Sequence, residues 1–271
     1  MDILFKYGFY VNNELFNVNA MLNTSFDYYK ELKEVLHIKS LKDHELVRVG
    51  KDGCDGGYIM ANDFKGNIAY SFGICDDVSW DSAMADKGYE IFMYDHTIRC
   101  LPERKDEFHF YQEGISGADE TVSPLKTLKF YIERNGHSDF KNMILKMDVE
   151  GAEWDFLKTV EPETLKQFDQ ILFEFHSMVQ TKRKKQIINM LKKINETHQL
   201  VHLHGNNSGY ILKIGNTYFP DVMEATYVNK DVYETCEPEK LMLPLNIDSP
   251  NDEGRTDVRL GNWNEPLVIN D

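Results

Sequence analysis

Acidic and imidazole side chains follow six short apolar segments of the sequence, and these residue types can carry chemistry. They lie at residues 73–77, 95–96, 113–115, 148–151, 174–176 and 202–204. Carboxylates and imidazoles bind hydroxyl groups and cations, and they can accept protons near neutral pH. In an open parallel sheet, ligands bind beyond the carboxyl ends of the strands. We therefore expect these side chains to meet in one site.

The elements that position them are apolar strands that alternate with helices. Strands are predicted at residues 67–72, 90–94, 108–111, 142–147, 170–175, 200–204, 209–214 and 222–228. Helices are predicted at residues 82–88, 123–135, 153–159 and 180–197. This alternation predicts an α/β fold with a doubly wound, mostly parallel sheet. The last segments lack an intervening helix, which predicts an antiparallel hairpin at one edge.

The length of 271 residues favours one domain with terminal extensions. Residues 1–45 are predicted to form a helical N-terminal extension, since Phe26, Tyr29, Leu32 and Leu36 recur at helical spacing after Ser25. This extension either covers the core or makes a homodimer contact. The main domain spans residues 46–235. Residues 236–271 are rich in proline, asparagine and aspartate, and we expect an irregular C-terminal tail.

The formal net charge of −15 argues against nucleic acid and anionic membranes as partners. The chain has 45 acidic and 30 basic residues, whereas nucleic-acid binding depends on a basic surface. No apolar segment reaches the roughly 20 residues of a membrane-spanning helix, and the N-terminus lacks the pattern of a secretory signal. The four widely spaced cysteines indicate neither a zinc site nor a disulfide framework. We therefore expect a cytoplasmic protein.

The first loop indicates which ligand the site could bind. Gly73 allows the backbone to approach a ligand closely, but no GxGxxG or P-loop follows, so a pyrophosphate would find no cradle of backbone donors. Asp76 and Asp77 favour a positively charged ligand. Asp95 follows about 20 residues later, where an acidic residue accepts hydrogen bonds from ribose hydroxyls, unless it serves as a helix cap. A glycine turn without a phosphate cradle, followed by an acidic residue placed for a ribose, predicts an adenosine-containing cofactor without a pyrophosphate. S-adenosylmethionine (SAM) is such a cofactor, and it carries a sulfonium and an ammonium group that could face Asp76 and Asp77.

Residues 145–153, with the sequence LKMDVEGAE, resemble the K-(I/M)-D-V-E-G-x-E signature of FkbM-type SAM-dependent methyltransferases. Residues 69–74 and 76–81 resemble the SAM-binding first motif of the methyltransferase-like branch of that family, although the second glycine more usual there is missing. Residues 55–58, 174–176 and 204–207 resemble its other recurring segments. The similarity covers residues 45–250, in order.

The resemblance implies a Rossmann-like class I methyltransferase fold with seven strands, the last antiparallel, and SAM as the cofactor. It implies that Gly73 and Asp77 line SAM, that Asp95 holds the ribose, and that residues 113–115 border the adenine. Asp148 would lie near the methionine end and the acceptor. Arg48 and Tyr58 flank a glycine-rich stretch that could form a lid. The cofactor-binding residues predicted in this way are Tyr58, Ser71, Gly73, Asp77, Asp95, His96, Glu113, Gly114, Ile115 and Asp148.

Methyl transfer to a hydroxyl also requires a group that takes the hydroxyl proton. His176, His202 and His204 are candidates because imidazole titrates near neutral pH. The predicted catalytic residues are His204 first, His176 second, and Asp148. Each histidine has an alternative interpretation as a hydrogen-bonded structural residue.

The same region could instead bind a divalent metal, because hard cations favour carboxylate oxygens. The candidate ligands would be Asp148, Glu150, Glu153, Glu174 and His176. Glu150 and Glu153 begin a predicted helix, however, where the helix dipole favours negative charge. We therefore assign no metal ligands from the sequence.

The leading hypothesis is a SAM-dependent O-methyltransferase that acts on a sugar, either a nucleotide-activated sugar or a surface-polysaccharide precursor, with residues 246–251 closing over the acceptor. A methyltransferase for an amine or a carboxylate is the first alternative. An NAD-dependent oxidoreductase is disfavoured by the missing GxGxxG. A non-catalytic binding module is disfavoured by the dense set of acids and imidazoles at the strand ends.

Overall fold

Strands and helices alternate along much of the chain, as the apolar pattern predicts. The computed structural model describes residues 7–11, 14–17, 26–118, 124–179 and 181–268. The helices are α1 (Phe26–Val35), α2 (Ser79–Ala85), α3 (Leu128–Arg134), α4 (Glu153–Thr159), α5 (Pro162–Leu165) and α6 (Lys184–Thr197), with a 3-10 helix at Thr181–Arg183. The strands are β1 (Tyr7–Val11), β2 (Glu14–Asn17), β3 (Ser40–Leu41), β4 (Leu46–Gly50), β5 (Gly57–Ala61), β6 (Ile68–Phe72), β7 (Glu90–Tyr94), β8 (Phe108–Tyr111), β9 (Gly114–Ile115), β10 (Leu125–Lys126), β11 (Met143–Met147), β12 (Phe168–Phe175), β13 (His198–Gly205), β14 (Ile211–Ile214), β15 (Thr217–Pro220), β16 (Met223–Asn229) and β17 (Thr235–Cys236).

Seven strands form the central sheet, in the order β8-β7-β6-β11-β12-β16-β13. Neighbours from β8 to β12 are parallel, while β16 is antiparallel to both β12 and β13. The predicted mostly parallel sheet of seven strands, with the last one antiparallel, is confirmed and is consistent with a Rossmann-like fold. The strand order reverses between β6 and β11. The carboxyl ends of these two strands therefore flank the position where open α/β sheets bind their ligands.

The central strands are buried on both faces, which explains their nearly continuous apolar sequences. Every residue of β6, β11 and β12 is buried. Leu145 of β11 belongs to one apolar cluster together with Leu191 of α6, while its neighbour Ile144 belongs to another together with Met84 of α2. Successive side chains of a strand point to opposite faces. Apolar contacts therefore cover both faces of β11.

The N-terminal extension is helical only in part. In and just after α1, Tyr29, Leu32 and Leu36 are buried as their spacing predicts, and the Tyr28 hydroxyl donates to the carbonyl of Met178 at 2.6 Å. The helix therefore covers the core. Residues 7–11 and 14–17 instead form β1 and β2, which join β14 and β15 in an antiparallel sheet. A wholly helical extension is thus wrong, because the aromatic and β-branched residues of β1 favour a strand and β14 pairs with it.

Two predicted helix starts, at Ser25 and Ser123, lie outside the described residues. Within them, α3 begins later than predicted, after Thr127, whose hydroxyl accepts a hydrogen bond from the backbone N–H of Phe130 at 3.2 Å. This contact satisfies one of the unpaired N–H groups at the start of the helix.

β4 and β5 form an antiparallel pair beside the central sheet, which the sequence did not predict. Their register pairs Arg48 with Ile59 and Gly50 with Gly57, so residues 51–56 form the connecting loop. All of β5 is buried. The pair carries Tyr58 to the carboxyl edge of the sheet, where the candidate site lies.

The C-terminal tail is irregular but packed. Between residues 237 and 268 the only regular pairing is a bridge between Leu243 and Gly261. Nevertheless Leu243, Leu260 and Trp263 are buried. None of the helices in the described ranges is long and apolar enough to cross a membrane.

The two-sided burial of β11 predicts a large stability cost for truncating its side chains. Leu145 is fully buried, so Leu145→Ala should lower the free energy of unfolding by about 2–5 kcal/mol, through lost transfer energy and a cavity. Met242→Ala, at a side chain that is 55% exposed, should change it by less than about 0.5 kcal/mol. Urea denaturation measures both values, and equal effects would contradict this account of the sheet.

Candidate active site

A cavity of about 720 Å³ opens at the carboxyl edge of the sheet, beside the reversal of strand order. Its volume lies in the range of small-molecule sites. Most of its walls come from the loops after β6, β7, β11 and β12 and from the β4–β5 pair. The polar and glycine residues in these walls include Asp55, Gly56, Tyr58, Gly73, Asp76, Asp77, Asp95, His96, Asp148, Glu150, Glu174, His176 and Asn206.

The turn at Gly73 brings the ends of β6 and β11 into backbone contact. Gly73 has a φ of +78°, and a β-carbon there would lie 1.5 Å from the carbonyl oxygen of Asp148. The Asp148 N–H donates to the carbonyl of Phe72 at 3.0 Å, and the Lys146 ammonium donates to the carbonyl of Gly73 at 3.1 Å. Only glycine fits this turn, because any side chain would push the two strand ends apart.

Asp95 ties the end of β7 to the loop after β6. One carboxylate oxygen accepts from the N–H groups of Ile74 and Cys75, both at 2.9 Å, and the other accepts from the N–H and hydroxyl of Thr97 at 2.8 and 2.6 Å. Burial would raise the pKa of Asp95, but these hydrogen bonds outweigh it and lower the pKa. Asp95 therefore positions the loop, and a ribose hydroxyl would have to share its oxygens.

Eight of the ten residues predicted to bind the cofactor line the cavity: Tyr58, Gly73, Asp77, Asp95, His96, Gly114, Ile115 and Asp148. The other two, Ser71 and Glu113, do not. Ser71 is fully buried within β6, and Glu113 forms an ion pair with Arg134 at 2.6 Å. Sequence position alone could not separate these two from residues that face the cavity.

Asp148, Glu174 and His176 form a compact polar cluster at the ends of β11 and β12, which we call the strand-end cluster. One ligand atom of each lies within 4.8 Å of the others, so the three could hold a metal ion. The Tyr58 hydroxyl donates to Asp148 at 3.3 Å, and the Asn206 amide donates to Glu174 at 2.7 Å. Burial, followed by the charge of Asp148, raises the pKa of Glu174 well above its ordinary value.

His176 is oriented by a buried glutamate. Its backbone N–H donates to Glu153 at 2.6 Å, and its ring Nδ1 lies 3.3 Å from the same carboxylate oxygen. The second oxygen of Glu153 accepts from the N–H of Gly151 at 2.8 Å, and Glu153 is fully buried. The other ring nitrogen, Nε2, lies 4.0 Å from Asp148 and 3.3 Å from Glu150. From its position in the sequence, Glu153 is interpreted as a helix-start residue or a metal ligand, and its contact with His176 is not predicted.

His204 does not reach the cavity. Its ring lies in β13 with 1% of the residue exposed, and its nitrogens lie 3.3 Å from Glu224 and 2.9 Å from Asp257. Burial would lower the pKa of His204, but the two carboxylates outweigh it and raise the pKa to about 10. Both ring nitrogens of His204 are occupied by carboxylates away from the cavity, whereas the His176 ring lines it. The geometry therefore favours His176 over His204, the first choice from sequence.

His202 is also withdrawn from the cavity and pairs with Asp248 at 3.0 Å. His202 and His204 of β13 thus both bind carboxylates of the C-terminal tail. No local signal in the sequence connects them to Asp248 and Asp257, which lie 46 and 53 positions later.

The tail also reaches the back of the cavity through Asn251. Its amide donates to Glu224 at 2.5 Å and to Asp55 at 3.2 Å, and the Gly53 N–H donates to the Ser249 hydroxyl at 3.1 Å. Asp55 lines the cavity. The tail therefore holds residues 51–56 from outside. Asn251 belongs to the segment 246–251 that is expected to close over the acceptor, whereas Asp55 and Glu224 were not predicted as site residues.

Arg48 supports the same loop from within. Its guanidinium donates to the carbonyls of Lys51 and Cys54, both at 2.7 Å. The aromatic residues Trp154 and Phe92 pack in the apolar core, while Trp80 is buried and borders the cavity. The Arg48 side chain therefore holds the base of the loop through the two backbone carbonyls that it binds.

The region that carries the site matches a known protein family. The family model described as the methyltransferase FkbM domain matches residues 67–212, which is more than half of the chain. This range contains the loops after β6, β7, β11 and β12 and the whole strand-end cluster. No curated protein matches the chain significantly.

The paired carboxylates around His204 predict a pH-dependent stability. The pKa of His204 is raised to about 10 in the folded protein, whereas it lies near 6.5 in the unfolded chain. The charged imidazole therefore stabilises the fold fully below about pH 6.5, and this stabilisation is lost as the pH rises through 10. His204→Gln should cost about 3–5 kcal/mol at pH 7, since it leaves buried carboxylates without a cation. Urea denaturation at pH 7 and pH 10 should show a smaller difference between wild type and variant at pH 10. The exposed His37→Gln serves as the control, and an unchanged difference at pH 10 would contradict the prediction.

Proposed function

Since this chain belongs to the FkbM methyltransferase family and is an enzyme of the methyltransferase type, we propose that SAM is its methyl donor and a sugar hydroxyl its acceptor. The observation that carries the proposal is the acidic cavity at the reversal of strand order. Eight acidic side chains and two lysines line it. One of these lysines, Lys51, lies 3.6 Å from Asp77, so most of the negative charge remains for a ligand.

The cavity suits SAM better than a dinucleotide. A pyrophosphate requires backbone donors at a helix N-terminus in a glycine-rich turn, whereas here the loop after Gly73 leads through Asp76 and Asp77 to α2. SAM instead carries a sulfonium and an ammonium group, which carboxylates stabilise. We assign the methionine end to the neighbourhood of Asp148, and the adenosine to the side of Asp95, His96 and Ile115.

The reaction joins the acceptor oxygen to the methyl carbon while the bond from that carbon to sulfur breaks, and S-adenosylhomocysteine leaves. Alignment of donor and acceptor in line can supply about 7–11 kcal/mol of the barrier. The hydroxyl proton must also leave, and a positioned proton acceptor adds about 10²–10⁴-fold. We assign this task to the strand-end cluster, because Asp148 and His176 both line the cavity.

The proposal that the acceptor is a sugar, either a nucleotide-activated sugar or a polysaccharide precursor, is supported by the family resemblance and by the polar lining of the cavity. Tyr58, Asn206 and Glu174 offer both hydrogen-bond donors and acceptors at one end of the cavity, which suits an acceptor with several hydroxyls. An amine acceptor is the second candidate, favoured by the same excess of carboxylates.

The cofactor assignment predicts micromolar binding of S-adenosylhomocysteine, measured by isothermal titration calorimetry. Gly73→Ala should weaken it at least about tenfold, or 1.4 kcal/mol, because the new β-carbon would collide with the carbonyl oxygen of Asp148. Gly254→Ala lies in the tail, where a β-carbon would meet only the Asp252 side chain at 3.1 Å, and it should bind as the wild type does. Binding of NAD without S-adenosylhomocysteine would reject the assignment.

The role of the strand-end cluster predicts a catalytic defect with cofactor binding retained. With SAM labelled in its methyl group and a panel of nucleotide-sugars, His176→Asn should lower kcat by about 10²–10⁴-fold. His109→Asn changes a histidine that pairs with Glu90 at the opposite end of the sheet and should leave kcat unchanged. Full activity of His176→Asn would remove His176 from the mechanism, and labelling of amines alone would select the second candidate.

A further inference from the structure

The strand-end cluster has the composition and spacing of a cation site. Asp148, Glu174 and His176 offer two carboxylate oxygens and an imidazole nitrogen, all within 4.8 Å of one another. Ligands at about 2.0–2.2 Å from a metal ion lie about 3–4 Å apart, and the 4.0 Å from His176 Nε2 to Asp148 fits this spacing. The residues sit at the ends of two adjacent strands, so their separation is held by the sheet.

Glu174 supplies an independent reason to expect a cation. The residue is only 5% exposed, and the Asn206 amide donates to its Oε1. The Glu174 carboxyl also interacts through a side-chain hydrogen bond with the carboxyl of Asp148, and among the described residues no lysine or arginine forms an ion pair with it. Two carboxyl groups in contact at a buried position cannot both be charged unless a cation lies beside them. Glu174 therefore faces the other two members of the cluster with a carboxyl that lacks a cationic partner.

Each residue of the cluster is also oriented by a group outside it. The Glu153 carboxylate lies 3.3 Å from His176 Nδ1, the Tyr58 hydroxyl donates to Asp148, and the Asn206 amide donates to Glu174. Histidines that bind metals usually give their second N–H to a carboxylate, which leaves the other nitrogen free to coordinate. In His176 the nitrogen that faces away from Glu153 is Nε2, which lies 3.3 Å from the exposed Glu150 and 4.0 Å from Asp148, so a metal ion bound there would replace the contact with Glu150.

We infer that Asp148, Glu174 and His176 hold a divalent transition-metal ion, and that its open coordination positions take neighbouring oxygens of the acceptor. The mixed oxygen and nitrogen donors suit Mn²⁺, which accepts both types. Three protein ligands leave positions for an exogenous oxygen. The role of the cation toward the acceptor rests on the proposed function. There, a bound cation would orient a sugar diol and favour loss of the hydroxyl proton. The cation site itself does not depend on it.

The test is a titration of the full-length chain, freed of metals with a chelator, with Mn²⁺ followed by electron paramagnetic resonance. We expect one Mn²⁺ bound per chain in the wild type and at least about tenfold weaker binding in Glu174→Gln and in His176→Asn. Glu90→Gln and His109→Asn are matched controls, because these residues form a glutamate–histidine pair at the opposite end of the sheet. Both controls should bind Mn²⁺ as the wild type does.

Calorimetry with S-adenosylhomocysteine on the same proteins separates the two proposals and reports whether each variant retains its cavity. If the wild type binds S-adenosylhomocysteine but no Mn²⁺, or if Glu174→Gln keeps full affinity for Mn²⁺, the cation site is overturned and the cofactor assignment stands. If Mn²⁺ binds and the two cluster variants lose it while S-adenosylhomocysteine fails to bind, the cation site stands and the cofactor assignment falls.

Discussion

The backbone contact between the ends of β6 and β11 is the constraint on which the rest of the site depends. At Gly73 the two strand ends come so close that a β-carbon would overlap the carbonyl oxygen of Asp148. This contact positions two loops. One follows β6 and is held by Asp95 at the end of β7, and the other follows β11 and begins at Asp148. The cavity forms where strand order reverses because the connections leave in opposite directions from this point. A side chain at Gly73 would displace both walls of the cavity together.

The second organising feature is the burial of charge around the cavity. Glu174 and Glu224 lie opposite each other on β12 and β16, and both are buried. Buried carboxylates require hydrogen bonds or cations, and the two glutamates differ in the partners that they have. Glu224 receives the Asn251 amide and the imidazole of His204, whereas Glu174 receives the Asn206 amide and contacts the carboxyl of Asp148. Glu224 thus lies at the part of the sheet that the tail closes, and Glu174 lies at the part that faces the cavity.

The tail illustrates how irregular segments can shape a site. It has almost no regular pairing, yet its carboxylates contact His202 and His204 of β13, and its Asn251 reaches Asp55 at the cavity wall. These side-chain contacts hold the tail in place, as backbone hydrogen bonds hold the strands. They also explain why a segment with the composition of a loop packs against the sheet, since separating it would leave buried charges without their partners.

From the sequence, apolar periodicity predicts the mostly parallel sheet because it is a local property, and the family resemblance predicts the antiparallel last strand. The resemblance also supplies the ten predicted cofactor-binding residues, of which eight line the cavity. The local pattern does not predict β1, whose partner β14 lies about 200 positions away, or β2, which pairs with β1. Nor does it predict that His176 lines the cavity while His204 does not. Both histidines follow the same local pattern of a polar residue at the end of a buried strand. Only the tertiary structure decided between them, because distant carboxylates enclose His204 while Glu153 directs His176 toward the cavity.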